Sequence, residues 1–409
     1  MDVPPLVEAP WGPSSETLYD RNFVLAFAST VFFVMANGML VHFARFITFL
    51  DGDERDIGWI MGIGPIAAIA IRPWLGRWID LLGPRRVWAA GCALFALTNL
   101  GYVFIHDLGP AIYILRGLGI IAPAMIFTSS FAYLNHIAPP GRLAEAIGMI
   151  GIGGFLGIAC GPAIGDFFLN GSQRDAQAFV NLFATAAGLV LIGLVLLRWM
   201  KPVPPHPDAG GTPFLASLRD HWPGAILLVC ATFGLCMAVP FGFLAEMADR
   251  RDIPNVGRFF VVYGLWATVV RLACRRLDQR IGRRPMMLAG MAFMAMGMVN
   301  YLFVTDFVTL LIPALLCSTA HALTFHTMTS LAVDRFPPAA RGLGMALALM
   351  ALDSGMVFGA PIIGQIAYHF GYNAMFLTIA LTILVVCGFY VACAWRTSSL
   401  RSAYPARLR

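Results

Sequence analysis

Charge is scarce in this sequence. Only 12% of its 409 residues are Asp, Glu, Lys or Arg, whereas 59% are apolar and the mean hydropathy is +0.75. Soluble domains carry roughly 25% charged residues, so the shortage excludes an ordinary water-soluble globule and implies an integral membrane protein. Other absences narrow the function. The eight cysteines show no disulfide framework. Cys92, Cys160, Cys230, Cys236, Cys317, Cys387 and Cys393 lie inside apolar runs and Cys274 near the end of one, so they read as small buried thiols. No Gly-rich run ends in Lys-Ser or Lys-Thr, so ATP-driven pumping by this chain alone is not expected. No His/Cys/Asp group has metal-ligand spacing, and neither a metal nor another cofactor is expected. The first 20 residues are acidic and Pro-rich with no basic n-region, so no cleavable signal peptide is expected. The net charge of +6 is distributed as topology requires, and nucleic acid is not an expected partner.

What the chain does have is apolar runs of spanning length, about 20 residues for a helix. Twelve can be placed: 23–46, 57–80, 87–105, 110–135, 142–169 and 176–198, then 223–246, 256–278, 285–304, 308–333, 341–370 and 372–396. Residues 1–22 form a tail, 199–222 a polar linker rich in Pro and Gly, and 397–409 a basic tail. With both termini inside, 19 of the 28 basic residues fall on inner segments, six on outer segments (Arg45, Arg55, Arg174, Arg250, Arg251, Arg258) and three within spans (Arg72, Arg116, Arg271). Basic residues accumulate on the cytoplasmic side, so both termini are expected in the cytoplasm and the chain in the inner (cytoplasmic) membrane.

The two sets of six are copies. At an offset of 199, Gly58 meets Gly257, Arg72 meets Arg271, Arg77 meets Arg276, Gly83 meets Gly282 and Arg85 meets Arg284. Further on, Asp107 meets Asp306, Pro139 meets Pro338, Arg142 meets Arg341, Pro162 meets Pro361 and Gly165 meets Gly364. Chance alignment of apolar runs matches Ala and Leu, not Arg, Pro and Asp in one register. A parallel repeat of six helices implies an all-α membrane fold with a binding cavity between 23–198 and 223–396, one half rocking against the other. Within it, Gly153, Gly157, Gly161 and Gly165 recur every fourth residue, so they line one helix face and admit a neighbouring backbone. Pro162 lies in that run and removes a backbone donor, so a bend is expected. Gly355, Gly359, Pro361 and Gly364 repeat the pattern in the second half, Pro361 and Gly364 in exact register and the first two glycines out of it.

The segment Gly76-Arg-Trp-Ile-Asp80-Leu-Leu-Gly83-Pro-Arg85-Arg86 resembles the signature loop between helices 2 and 3 of the major facilitator superfamily. Leu81 and Pro84 replace two usually basic residues, and the second copy has Arg275 for the first Gly and Gln279 for the Asp. Gly157, Gly161, Pro162 and Gly165 resemble the family's export-associated pattern on helix 5, and the nearest types are bacterial sugar-efflux and multidrug-efflux permeases. The resemblance implies twelve helices, alternating access, and an inner gate in which Gly76, Asp80, Gly83, Arg85 and Arg86 form an interhelix charge network. For the basic members plain topology is the alternative. Arg72 and Arg271, at matching depth in both halves, suit the scaffold or the gates better than an asymmetric substrate.

Asp353, about 12 residues into helix 11 and so near mid-bilayer at ~1.5 Å per residue, is the sharpest candidate for carrying a proton. An unpaired carboxylate there is costly. A packing hydrogen bond or an ion pair to an arginine is its alternative, and its repeat partner is Gly154. Arg116 fits the family's helix-4 arginine, or else snorkels. His321, His326 and His42 titrate in the range proton traffic needs, or else are neutral hydrogen-bonding groups. Asn37 is a polar substrate contact or an interhelical bond. The methionines of helix 9 read as packing.

These features lead to a non-enzymatic secondary transporter of a small organic molecule, exporting it by proton antiport. Helix 1 lacks a buried acid, and Arg116, His321 and His326 against one Asp353 equally suit uptake of an anionic metabolite with protons. A lipid-moving or non-transporting member is a third reading. Lipid, a small-molecule substrate and protons are the expected partners, and a monomer is expected.

Overall fold

A computed structural model describes residues 17–139, 142–169, 175–203, 219, 221–274, 277–336 and 341–403. Arg275 and most of the Pro/Gly linker lie outside the described residues, as do the side chains of Asp80 and Gln279.

Capping residues start the helices. The Asp20 carboxylate accepts from the Phe23 N–H ahead of α1, which runs as Arg21–Met39, a tight turn Leu40–His42, and Phe43–Phe49. Asp53 forms a capping box with Asp56 and opens α2 (Glu54–Leu82). Gly83 closes it with φ 83° and ψ 146°, a conformation that L side chains avoid, and Pro84 begins α3 (Pro84–Tyr102). The chain continues through α4 (Pro110–Ile137), α5 (Leu143–Leu169) and α6 (Ala176–Leu197). The second set begins with α7, Ile226–Ala238 carried through a π-turn at Val239–Phe243 into Leu244–Arg250. α8 (Gly257–Ala273) is followed by a short helix, Leu277–Ile281. Gly282, φ 90°, repeats the device of Gly83 before α9 (Arg283–Asn300). Asp306 caps α10 (Phe307–Val333), and α11 (341–370) and α12 (372–403) are separated by Gly371 with φ 82°.

Among the described residues there are twelve helical spans and no strand. Eight stretches are long and apolar enough to cross a membrane, the last of them, Gly344–Cys393, holding two helices. α2, α3 and α8 complete the twelve. The all-α membrane fold is therefore present as a pair of six-helix sets. Several boundaries move outward from the expected ones, among them α1 to Phe49 and α7 to Arg250. The turn at Leu40–His42 and the π-turn let these helices continue, and that places charged residues inside them. Cys160 is exposed on the flank of α5 rather than buried, and Cys274, Cys387 and Cys393 are half-buried. Met286, Met287, Met291, Met294 and Met298 of α9 are buried as packing, whereas Met296 faces outward.

The glycine stripe of α5 lies against α1. A Cβ on Gly157 would come 2.6 Å from the Val34 side chain, and one on Gly161 would collide with the Met35 carbonyl. Such backbone approach is how helices associate in lipid, where the hydrophobic effect offers nothing between them. The counterpart in the second set is α11 on α7, where a Cβ on Gly355 would run into the Ala231 carbonyl and one on Gly359 into Leu235. The two sets meet along α2–α11 and α5–α8. At one seam the space for a Cβ on Gly58 is taken by Ala360, Pro361 and Gly364; at the other, that of Gly257 is taken by Ala163 and Asp166.

Candidate functional site

The helix ends joined by the arginine-rich connections are termed inner and the opposite ends outer. The sets are cross-linked at the outer end by side chains, some of which sequence reasoning assigned to outer segments. Arg45 of α1, only 2% exposed, is the centre. It donates through Nε and Nη2 to the two Asp249 oxygens of α7 at 2.9 and 2.8 Å, a two-pronged pair. Its Nη1 donates to Asp166 Oδ1 of α5 and to His42 Nδ1, each at 3.0 Å. A guanidinium only donates, so Nδ1 holds the lone pair. The His42 proton sits on Nε2, which donates to the Pro162 carbonyl at 2.9 Å. Gly165 makes room for that ring, since a Cβ there would overlap it. The Gly257 N–H of α8 donates to the other Asp166 oxygen. A second link lies beside it: Arg250 meets Glu54 at 2.6 Å and Glu246 at 3.1 Å, and Thr48 Oγ1 donates to Glu246 at 2.8 Å. Both links join the first set to the second, so the outer end is sealed.

Deeper in, Arg72 of α2 donates to Asp353 Oδ2 of α11 through Nε at 3.0 Å and Nη2 at 2.6 Å. The pair is 9% and 17% exposed and also joins the two sets. Arg271 of α8 donates from Nη1 to His326 Nδ1 of α10 at 3.1 Å. His321 shares a 2.8 Å hydrogen bond with the Tyr263 hydroxyl inside a cage that includes Phe155 and Phe233. Arg116 is 8% exposed, so it does not snorkel; its guanidinium lies 4.8 Å over the Phe43 ring and donates to the Met61 sulfur. Asn37 is half-buried in α1.

At the inner end no described ion pair joins the signature loop to the second set. Arg85 donates to the Met200 carbonyl at 2.6 Å, within the first set, and Arg86 is exposed. A Cβ on Gly76 or Gly148 would meet nothing within 4 Å. Among the described residues the charge network joins the sets at the outer end, and the Asp80 side chain on which the expected inner gate rests lies outside them. Arg45, Glu54 and Asp249 were assigned to outer segments, whereas Asp166 and Glu246 fall within the expected spans and were missed because their partners across the sets lie on other helices. The usable signal was four acids clustered at the outer ends of an acid-poor chain.

The arrangement can carry alternating access: ion pairs join the sets at the outer end, Arg72 and Asp353 join them deeper in, and no metal-ligating group of three is found among the described residues. A family model described as Major Facilitator Superfamily matches residues 22–277 and 252–407. The chain is 25% identical over 334 residues to an uncharacterized MFS-type transporter of Burkholderia pseudomallei (strain 1106a), covering 79% of each chain. Among solved structures it is similar to the peptide transporter POT in complex with sulfate, with TM-score 0.76, 14% identity, and 94% and 96% of the two chains covered. It is also similar to a D-xylose-proton symporter, with TM-score 0.72, 16% identity, and 89% and 96% covered.

Proposed function

We propose a coupling ion and a direction for this chain, which belongs to the major facilitator superfamily and is a secondary transporter rather than an enzyme: it exports a small organic molecule in exchange for protons. The observation that carries the coupling is the Arg72–Asp353 pair, the one described ion pair between α2 and α11. The carboxylate is enclosed, and its described hydrogen-bond partner is the Arg72 guanidinium. Protonation removes the charge that Arg72 holds, frees α2 from α11 and lets the inner ends rearrange while the outer link of Arg45 opens. A proton taken up at Asp353 from outside and released inside drives the reverse movement of substrate. Export rests on the likeness of the α5 pattern, Gly157, Gly161, Pro162 and Gly165, to that of exporters in the family. Both termini lie in the cytoplasm, and the protein works as a monomer in the cytoplasmic membrane.

A second reading, uptake of an organic anion with protons, is favoured by one observation: Arg271 and Arg116 have no carboxylate partner among the described residues. The test uses inverted membrane vesicles acidified by respiration, with a pH-quenched dye. Drugs, sugars and organic acids are added to wild type and to Asp353→Asn. Dequenching by one compound, lost in the variant, is expected. Dequenching that survives in the variant removes Asp353 from the coupling role, and accumulation of the same compound by right-side-out cells overturns export.

A further inference from the structure

The two sets are alike in backbone but differ in charge, and one difference lies at mid-depth. The offset of 199 is a structural equivalence as well as a sequence one, because Gly153 lies against α1 as its equivalent Leu352 lies against α7 at Gly234. Gly58 and Gly257 likewise occupy matching seams. In that register the pair Arg72–Asp353 corresponds to Arg271 and Gly154. On the α2–α11 side the guanidinium has its carboxylate at 2.6 Å. On the α8–α5 side the guanidinium is present, half-buried, and the carboxylate is missing.

The space for it is kept. A Cβ on Gly154 would meet nothing within 4 Å, and one on Gly151, a turn away, would find only Arg271, 3.9 Å off at Nη2. Gly154 looks into the protein rather than at lipid: at 100° per residue it lies about 140° around α5 from Phe167, which is 83% exposed. Among the described residues no carboxylate lies within 4.0 Å of Arg271, and Asp278, seven residues on, makes no ion pair with it. Its described hydrogen-bond partner is His326 Nδ1 at 3.1 Å, and the His326 ring also meets the Ala322 carbonyl and feels the charge of Asp278. A half-buried cation with no described carboxylate, held by His326, and open space at Gly151 and Gly154 thus face one another across α5, α8 and α10.

We propose that Arg271 and His326, opposite Gly154, bind the carboxylate of a small organic acid, which completes on this side the ion pair that Asp353 makes on the other. One guanidinium offers a single positive charge, which a monocarboxylate matches better than a doubly charged phosphate. Arg271 supplies the charge, His326 holds the guanidinium in place, and Gly151 and Gly154 leave the volume. This names the substrate class for the transport proposed above and rests on that reading only for the word substrate; binding itself requires neither a gradient nor a direction.

The test is equilibrium binding to the full-length protein in lipid nanodiscs, without a proton gradient, so that it is independent of the coupling assay. Acetate, lactate and benzoate are compared with acetamide, lactamide, benzamide and inorganic phosphate, by unfolding followed through tryptophan fluorescence and by dialysis of the labelled compound. At least one carboxylate is expected to raise the unfolding temperature, and its amide to leave it unchanged. Arg271→Gln is expected to weaken that carboxylate at least tenfold, and His326→Gln less. Gly154→Asp supplies the carboxylate from the chain itself; it is expected to raise the unfolding temperature of the free protein and to abolish the response. Equal response to acid and amide, response to phosphate alone, no response to any carboxylate, or undiminished binding by Gly154→Asp overturns the assignment. If Gly154→Asp aggregates, unchanged affinity in Arg271→Gln overturns it alone.

Discussion

Replacing Arg45 with Gln tests whether the outer network holds the protein closed. The wild-type side chain is 1% exposed and gives three hydrogen bonds to two carboxylates, one on each side of the boundary between the sets. Removing one member of a buried pair costs about 3–5 kcal/mol, because the partners stay behind as uncompensated charges. Here two are left, Asp166 and Asp249, and both hydrate only if the outer end opens. The closed-to-open ratio should therefore fall by roughly two to three and a half orders of magnitude. Arg250 makes the comparison internal. Its side chain is 50% exposed, although Glu54 beneath it is 4% exposed, so screening reduces its contribution and Arg250→Gln should shift the ratio less. Hydrogen exchange by mass spectrometry reads both. In Arg45→Gln, amides around 42–50 and 244–252 should lose protection while those around 72–82 gain it, and Arg250→Gln should show a weaker version. Unchanged exchange at the outer ends of a folded Arg45→Gln protein, or a larger effect from Arg250, refutes the lock.

Other outcomes follow from the same contacts. Arg72→Gln strands the Asp353 carboxylate and should lower thermal stability, whereas Arg72→Gln with Asp353→Asn should recover most of the loss, a coupling that a double-mutant cycle of unfolding temperatures measures. Gly161→Ala pushes a methyl into the Met35 carbonyl and should destabilise by about 1–3 kcal/mol, while Gly148→Ala, with nothing within 4 Å, should be tolerated in the same melt. At the mouth of α10, the Thr309 N–H to the Asp306 carboxylate, helped by the Thr305 and Thr309 hydroxyls, holds that acid below its ordinary value of 3.8. The depressed value means the cap stabilises above pH 3.8 and is lost as pH falls through the lower folded value. Asp306→Ala should thus melt earlier at neutral pH and converge with wild type in acid.

Much of this was legible in the sequence because it was written twice. Apolar runs gave the spans, and residues that rarely coincide, such as Arg72 with Arg271 and Pro162 with Pro361, fixed the register of the copies. The four-residue glycine spacing identified the face of α5 that meets α1, since spacing on a helix is direction. The partners were out of reach. Whether Asp353 faced a cavity, a backbone or an arginine depends on α2 coming beside α11, and no local pattern contains that. The outer network was hidden for a different reason. Hydropathy ends a span at the first charge, so Arg45 and Arg250 were read as loop residues although α1 and α7 carry on past them. Hydropathy treats a buried, paired charge and a solvated one alike.

Packing is repeated in this molecule, and the charge pairs that link the two sets are not. The seams between the sets use matching glycines, Gly58 and Gly257, and the stripes that hold α5 on α1 and α11 on α7 answer one another. None of the outer network survives the offset: Arg45 faces Leu244, Asp166 faces Gln365, Asp249 faces Leu50, Glu246 faces Ile47 and Glu54 faces Ile253. Asp353 faces Gly154. A symmetric scaffold is what rocking needs, because both halves must open and close along equivalent seams at similar cost. Charge repeated in the same way would bind equally on both sides and give neither set a distinct role. Divergence at the charged positions, on a backbone kept in register, lets Asp353 and Arg72 stand as a closed pair on one side. On the other, Arg271 is left for a ligand to complete.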